Sequence, residues 1–351
     1  MSIQALIFDF GGTLIDESKG FEGPCVFWPE IDLLPGVAET VPELGRKYKL
    51  LVASNAEQSN GEMIHAALKR AGIGQHFEAC YTPKELDGAR KPNREFLTRI
   101  LEQHSLSLFE AVMVGDMYKT DILGAHNAGM KSIWLNPAQT PAPALTPLCT
   151  ASLANFSELS DVLSKPFLPD LPEISGLYAR QKDSFYLRAH VEMVASCAYA
   201  MAVLLAKNGV SINTILAHRG GYLHDLGKIS AAEQKIPHDK VGERILTEAG
   251  WPLLGRIARS HMLSNLLKDE LKPRTIEEKV VYIADKMIIN GQLGTIGERM
   301  EGLRTRYRIS DAEMNPIVEA VNELEGELCQ LMGIEQAQLL PALESMFDFA
   351  S

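Results

Sequence analysis

Between Lys165 and Pro172 the chain changes character, and that change limits what it can fold into. Ahead of this point, short apolar runs alternate with segments of helical period; behind it, every periodic segment reads as helix. The run Lys165-Pro166-Phe167-Leu168-Pro169-Asp170-Leu171-Pro172 reads as a stiff connector. At 351 residues the chain exceeds one ordinary core. The expectation is two domains: residues 1–167, an α/β domain built on a parallel sheet, and residues 176–351, an all-α bundle.

In the first half, the expected strands are Ala5–Phe8, Leu50–Ala53, Ala111–Val114 and Ser132–Leu135. Helical patterns fall near Val37–Lys47, Glu57–Ala71, Asn93–His104 and Thr120–Ala128, several stopped by a glycine such as Gly72 or Gly129. Asn136–Pro147, rich in Pro, Thr and Ala, reads as a loop against the sheet. Parallel sheets of this kind bind ligands at the carboxyl ends of their strands, and the reactive residues fall there. Asp9 closes the first strand ahead of Phe10-Gly11-Gly12-Thr13-Leu14, and Ser54-Asn55 closes the second. Lys91-Pro92 opens a helix, Gly115-Asp116 closes a later strand, and Asp121 follows.

These four fragments, in this order, resemble the haloacid dehalogenase-like (HAD) phosphatases over roughly residues 1–165. The resemblance implies a Rossmann-like domain in which Asp9 is the nucleophile, forming an aspartyl-phosphate. Asp9, Asp116, Asp121 and the Gly11 carbonyl would hold Mg²⁺, a cation that prefers oxygen ligands. Ser54 and Lys91 would bind the phosphoryl oxygens. One departure stands out: HAD phosphatases carry a second, acid–base Asp where this chain has Gly11. Loss of a positioned acid costs about 10²–10⁴-fold in rate. This half is therefore expected either to dephosphorylate a phosphomonoester without that Asp or only to bind one, as a non-catalytic sensor. The spacing between the Asp9 loop and the second strand leaves room for a minimal cap, with Phe21–Pro29 as a candidate flap.

In the second half, Leu187, Val191, Val194, Ala198, Met201 and Leu205 recur at helical spacing beside His190. Ile212–Leu223 then runs into Gly221-Tyr222-Leu223-His224-Asp225-Leu226-Gly227-Lys228. Imidazole beside carboxylate is a ligand pair for a divalent metal. Further helical patterns cover Lys240–Ala249, Leu253–Met262, Ile276–Ile289, Asp311–Met332 and Gln336–Phe347, and Asp285 lies within one of them.

The order His190 … His224-Asp225 … Asp285 resembles the HD-domain metal-dependent phosphohydrolases, which implies those four residues as metal ligands. His238 and His261 fall where two-metal members carry extra ligands. The resemblance implies one or two divalent transition metals, such as Mn²⁺, Fe²⁺, Co²⁺ or Ni²⁺, that make hydroxide at neutral pH. Lys228 would meet a phosphate oxygen, while Arg188 and Arg299 are weaker candidates for anion contacts. His218 matches nothing in the pattern and reads as structural. The segment Glu278–Lys286 resembles the last helix of HD hydrolases acting on nucleotides. The combined expectation is a bifunctional phosphohydrolase acting on small phosphorylated, nucleotide-like substrates. A di-iron oxygenase is the alternative for the second half, because ligand spacing does not separate the two chemistries.

A net charge of −11 argues against a nucleic-acid or anionic-membrane partner. The apolar stretch Val194–Ala206 reads as a buried helix too short to span a bilayer. The N-terminus shows no signal-peptide pattern. Five scattered cysteines without a CxxC fit reduced thiols and a cytoplasmic setting. A homodimer is compatible with the sequence but is not specified by it.

Overall fold

The computed structural model describes residues 2–181 and 185–350. It divides into two compact units, Met1–Ala138 with Leu148–Phe167, and Gln139–Pro147 with Leu168–Ser351.

The first unit is an α/β domain. Its strands are β1 (Ala5–Phe8), β2 (Lys49–Ala53), β3 (Phe77–Tyr81), β4 (Ala111–Gly115), β5 (Lys131–Leu135) and β6 (Ala151–Leu153). They form one parallel sheet in the order β3-β2-β1-β4-β5-β6. Side chains alternate across the strands, and both faces are covered, as an all-parallel sheet requires. Leu6, Phe8, Val52 and Val112 pack with α1 (Val37–Leu44) and α2 (Gly61–Arg70). Ala5, Ile7, Leu51 and Met113 pack with α3 (Arg94–Gln103) and α4 (Leu123–Ala128). A short α5 (Leu159–Leu163) adds Leu159 to the first of these clusters. Strand order reverses between β1 and β4, so the loops after them diverge and open a crevice. Asp9 and Asp116 sit at its mouth.

The periodicity missed β3, whose segment Phe-Glu-Ala-Cys-Tyr carries an exposed Glu78, and β6, which is only 3 residues long. It also started α2 too early. Asn60 caps that helix by accepting from the Met63 amide at 2.9 Å, leaving residues 57–59 outside it.

The second unit is helical. After α6 (Leu171–Arg180) come α7 (Phe185–Lys207), α8 (Thr214–Leu223), α9 (Lys228–Gln234), α10 (His238–Glu248), α11 (Pro252–Ser260) and α12 (Ile276–Met287). A two-residue hairpin, β7 (Ile288–Ile289) with β8 (Gln292–Leu293), leads to α13 (Ile296–Tyr307), α14 (Asp311–Met332) and α15 (Gln336–Ala350). The expected connector is shorter than its prolines suggest. Asp170 caps α6, accepting from the Glu173 amide at 2.8 Å, and Pro172 lies in the first turn, where its missing N–H costs nothing.

Helix α7 is long and apolar enough to cross a bilayer, more so than the shorter stretch seen in the sequence. It is instead the core helix of this unit, with Val191, Val194, Cys197, Ala198, Met201 and Leu205 fully buried. Gly221 lets α8 cross it closely, since a Cβ there would stand 2.8 Å from the Ala195 Cα.

Gln139–Pro147, expected against the sheet, belongs to the helical unit. The Tyr199 hydroxyl accepts from the Ala142 amide at 3.1 Å. The fully buried Arg219 donates to the carbonyls of Pro147 at 3.0 Å and Pro169 at 2.8 Å. His218, also buried, lies 2.8 Å from the same guanidinium through Nδ1. Burial, and then Arg219, hold His218 well below the usual imidazole pKa, so it is a neutral acceptor with a packing role. Arg219→Met leaves two buried carbonyls without their charged donor and is expected to destabilise the protein by about 2–3 kcal/mol. Urea unfolding followed by circular dichroism measures this, and an unchanged midpoint contradicts it.

Candidate functional sites

In the first unit a cleft of about 800 Å³ opens over the ends of β1 and β2. Asp9, Gly11, Ser54, Asn55 and Lys91 line it, together with Phe21, Cys25 and Trp28 of the expected flap. That flap is held down: Arg70 donates to the carbonyls of Val26 and Trp28, both at 2.7 Å, and the Cys25 amide donates to Ser59 Oγ at 3.0 Å.

Lys91 is buried, and its ammonium donates to Asp9 Oδ1 and Asp121 Oδ1, each at 2.6 Å. Asn55 fixes the Lys91 backbone from both sides, donating to its carbonyl at 2.8 Å and accepting from its amide at 2.9 Å. Asp121 stands on a wide π turn, Tyr118–Ile122, and accepts from the Met117 amide at 3.0 Å. Asp116 accepts from the Thr13 hydroxyl at 3.0 Å. Gly12 adopts φ 72°, and a Cβ there would collide with the Asp116 carboxylate.

Burial, followed by the charge of Asp9, raises the carboxyl groups of Asp116 and Asp121, the latter to about 7 against the pull of Lys91. Burial alone would discharge Lys91, but Asp9 and Asp121 outweigh it and raise its pKa. The oxygens of Asp9, Asp116 and Asp121 lie within 4.8 Å of one another. An all-oxygen donor set whose carboxylates repel without a cation fits Mg²⁺.

Glu17 also lines this cleft, and the sequence reading passed over it. Glu17 is an exposed residue, yet partial desolvation of its carboxyl group at the cleft, then Asp9 and Asp116, raise its pKa. Its only sequence signal is its place just past the Asp9 loop, which says nothing of the chain doubling back.

In the second unit, α7, α8, α10, α11 and α12 bring His190, His224, Asp225, His238, His261 and Asp285 together. Asp225 Oδ2 lies 3.4 Å from His224 Nε2 and 3.8 Å from His190 Nε2. Its other oxygen lies 3.2 Å from His238 Nε2 and 3.5 Å from His261 Nε2. Asp285 Oδ1 lies 3.2 Å from His190 Nε2 and 3.5 Å from His224 Nε2. His261 is buried and does not face solvent; His238 opens α10 yet stands 3.1 Å from His261 through Nε2.

Backbone carbonyls select the tautomers. His224 Nδ1 lies 2.7 Å from the Gly221 oxygen and His261 Nδ1 lies 2.7 Å from the Ala258 oxygen, so each Nδ1–H donates and turns Nε2 inward. His224 Nε2 is buried without a hydrogen-bond partner. An orphaned imidazole nitrogen facing two carboxylates fits a divalent transition metal.

Burial opposes charge on His224, yet Asp225 and Asp285 raise its pKa to about 9; the field that favours this proton would also favour a metal cation. Burial lowers His261 to about 4, leaving its imidazole neutral. Asp225, despite burial, is held well below the carboxylate range by His224 and the neighbouring imidazoles. Lys228 donates to Asp225 Oδ2 at 2.6 Å from a half-exposed position. The buried Lys286, given no role of its own in the sequence reading, donates to Asp285 Oδ2 at 2.5 Å and to the His261 carbonyl at 2.8 Å. Arg299 lines the mouth with Leu303, Tyr307 and Ile317.

Two family models match the chain: "haloacid dehalogenase-like hydrolase" over residues 27–135 and "HD domain" over residues 187–288. The chain joins a HAD-like hydrolase domain to an HD domain. Among curated relatives, an uncharacterised protein of Methanocaldococcus jannaschii is 28% identical over 41% of this chain and 88% of its own length. A pyrimidine 5'-nucleotidase of Escherichia coli is 29% identical over 38% of the chain and 57% of its own length. A glyceraldehyde 3-phosphate phosphatase of Methanothermobacter thermautotrophicus is 36% identical over 31% of the chain and 46% of its own length. The chain thus spans only about half the length of the latter two. A solved structure from Listeria monocytogenes is 27% identical, covers 46% of this chain and 97% of its own, and superposes with a TM-score of 0.41.

Removing Lys91 leaves Asp9 and Asp121 facing each other without a buried cation. Lys91→Met is expected to destabilise the HAD-like domain by about 3 kcal/mol, with millimolar Mg²⁺ restoring part of the loss. Thermal unfolding with and without Mg²⁺ checks this; a variant as stable as the parent in EDTA contradicts it.

Proposed function

We propose that the chain is a two-site, metal-dependent phosphohydrolase. One observation carries this reading: each domain sets a lysine ammonium against a group of metal-ligating side chains, all carboxylates in the HAD-like domain and imidazoles with carboxylates in the HD domain. Phosphoryl transfer needs such positive charge around its equatorial oxygens.

In the HAD-like domain, Asp9, Asp116, Asp121 and the Gly11 carbonyl would hold Mg²⁺, which when bound neutralises phosphate charge. Asp9 attacks phosphorus through a carboxylate oxygen and forms an aspartyl-phosphate. The Ser54 hydroxyl and the Lys91 ammonium bind the phosphoryl oxygens, and Asn55 keeps Lys91 aimed. The flap limits water around the leaving group. The curated names of the relatives, a nucleotidase and a sugar-phosphate phosphatase, support a small phosphomonoester as substrate.

In the HD domain, His190, His224, Asp225 and Asp285 would hold one ion, and His238 and His261 beside Asp225 would take part in holding a second. When bound, such ions supply a hydroxide nucleophile and polarise the phosphorus–oxygen bond. Lys228 binds a phosphate oxygen at the half-exposed mouth. Lys286 balances Asp285 from behind and keeps its free oxygen turned inward. A phosphoester or phosphoanhydride of a nucleotide-like molecule suits this mouth, whose apolar wall faces Arg299. The five cysteines are all buried and none is joined in a disulfide, which supports a reducing, cytoplasmic setting.

Full-length protein supplied with Mg²⁺ and Mn²⁺ is expected to release phosphate from a panel of phosphomonoesters and nucleotides. Asp9→Asn should remove one set of substrates and Asp225→Ala the other, each by at least about 10³-fold. A folded, metal-loaded protein inert across the panel, or one whose turnover survives both changes, contradicts the proposal.

A further inference from the structure

The HAD-like cleft contains a carboxyl group with no assigned task. After Asp9 the chain turns sharply. The amides of Leu14 and Ile15 donate to the Phe10 carbonyl at 3.0 and 3.1 Å, and the Gly12 amide donates to the Ile15 carbonyl at 3.0 Å. Ile15 bridges back to Gly11 on one side and to Leu33 on the other. The next residues are tied as well: the Asp16 amide donates to the Asp32 carbonyl at 2.9 Å, and Lys19 pairs with Asp32 at 2.6 Å. Glu17 therefore hangs from a loop anchored on both sides and extends back over the nucleophile.

Its carboxyl group fills the space that a side chain at Gly11 would occupy: a Cβ built on Gly11 collides with both Glu17 oxygens and with Cδ. The carboxylates of the proposed Mg²⁺ set are engaged, Asp9 and Asp121 with Lys91 and Asp116 with Thr13. Glu17 makes no side-chain hydrogen bond or ion pair among the described residues, and it borders the same cavity as Asp9 and Ser54.

We propose that Glu17 is the acid–base catalyst of the HAD-like site, delivered from the loop to the place left open by Gly11. This rests on Asp9 being the nucleophile. In the first step an Asp9 oxygen bonds to phosphorus, the bond from phosphorus to the ester oxygen breaks, and the Glu17 proton passes to that oxygen, releasing the alcohol. In the second step the Glu17 carboxylate takes a proton from water as the water oxygen bonds to phosphorus. The bond between Asp9 and phosphorus breaks, giving inorganic phosphate, free Asp9 and protonated Glu17.

Proton delivery matters most when the departing oxygen is a poor leaving group, and that dependence provides the test. The Asp9-dependent rate is measured on the full chain with Mg²⁺, using glycerol phosphate and p-nitrophenyl phosphate. Glu17→Gln is expected to lower kcat/KM for glycerol phosphate by about 10²–10⁴-fold and that for p-nitrophenyl phosphate by less than about tenfold. With the activated ester, phosphorylated protein should accumulate, trapped as label on Asp9, because the second step has lost its base. Adding Gly11→Asp to Glu17→Ala, which empties the space beside Gly11, should recover at least about tenfold of the glycerol phosphate rate lost in Glu17→Ala alone. The inference fails if Glu17→Gln keeps the parental rate on both esters, or if both fall equally with no phosphoenzyme and no recovery. If Asp9→Asn leaves turnover of both esters intact, the nucleophile assignment itself falls, and the Glu17 role falls with it.

Discussion

Buried negative charge that must be balanced is the constraint on which this molecule depends. A carboxylate removed from water is tolerated only when paired and hydrogen-bonded, and both domains gather such groups at their ligand-facing ends. In the HAD-like domain, Lys91 neutralises Asp9 and Asp121 while Thr13 holds Asp116. In the HD domain, four imidazoles and two lysines surround Asp225 and Asp285. In each case the balance is incomplete within the protein alone: His224 Nε2, though close to two carboxylates, is left without a hydrogen bond, and Asp121 is pushed up to about 7. These are the environments in which a divalent cation completes the charge count.

The scaffolds explain how so many charges can be placed accurately. The parallel sheet fixes Asp9 and Asp116 by strand register, Phe8 pairing with Val114 one step before the loops diverge. The helical unit draws the six candidate ligands from five helices, His224 and Asp225 both from the end of α8, and the close crossing at Gly221 brings α8 against α7. Second contacts then orient the first. Asn55 sets the Lys91 backbone, the Gly221 and Ala258 carbonyls set two imidazole tautomers, and Lys286 sets Asp285.

Much of this was legible in the sequence because the decisive residues lie at element ends, where periodicity breaks. Asp9, Ser54 and Asp116 follow apolar runs, and His224-Asp225 follows a buried helix; such positions stand out without coordinates. The residues that escaped are those whose role arises only after the chain folds back. Glu17 reads as an ordinary loop acid until Ile15 bridges to Gly11. Lys286 and Arg219 are both buried, and the carbonyls they meet come from segments that the sequence order does not place beside them. The connector was misjudged for a related reason: Pro172 suggests extended chain, but a proline in the first turn is compatible with a helix that Asp170 has already capped. Gln139–Pro147 carries no apolar period at all, so only tertiary contacts decide which domain it joins.

The claim that most needs a direct measurement is that imidazoles and carboxylates distant in sequence form one metal centre. Anomalous diffraction from crystals grown with Mn²⁺ would locate the ions. The account predicts two peaks about 3.5–4 Å apart, one beside His190, His224 and Asp285, the other beside His238 and His261, with Asp225 between them. A fully occupied data set with no peak against Asp225, or with manganese bound only elsewhere, would contradict it.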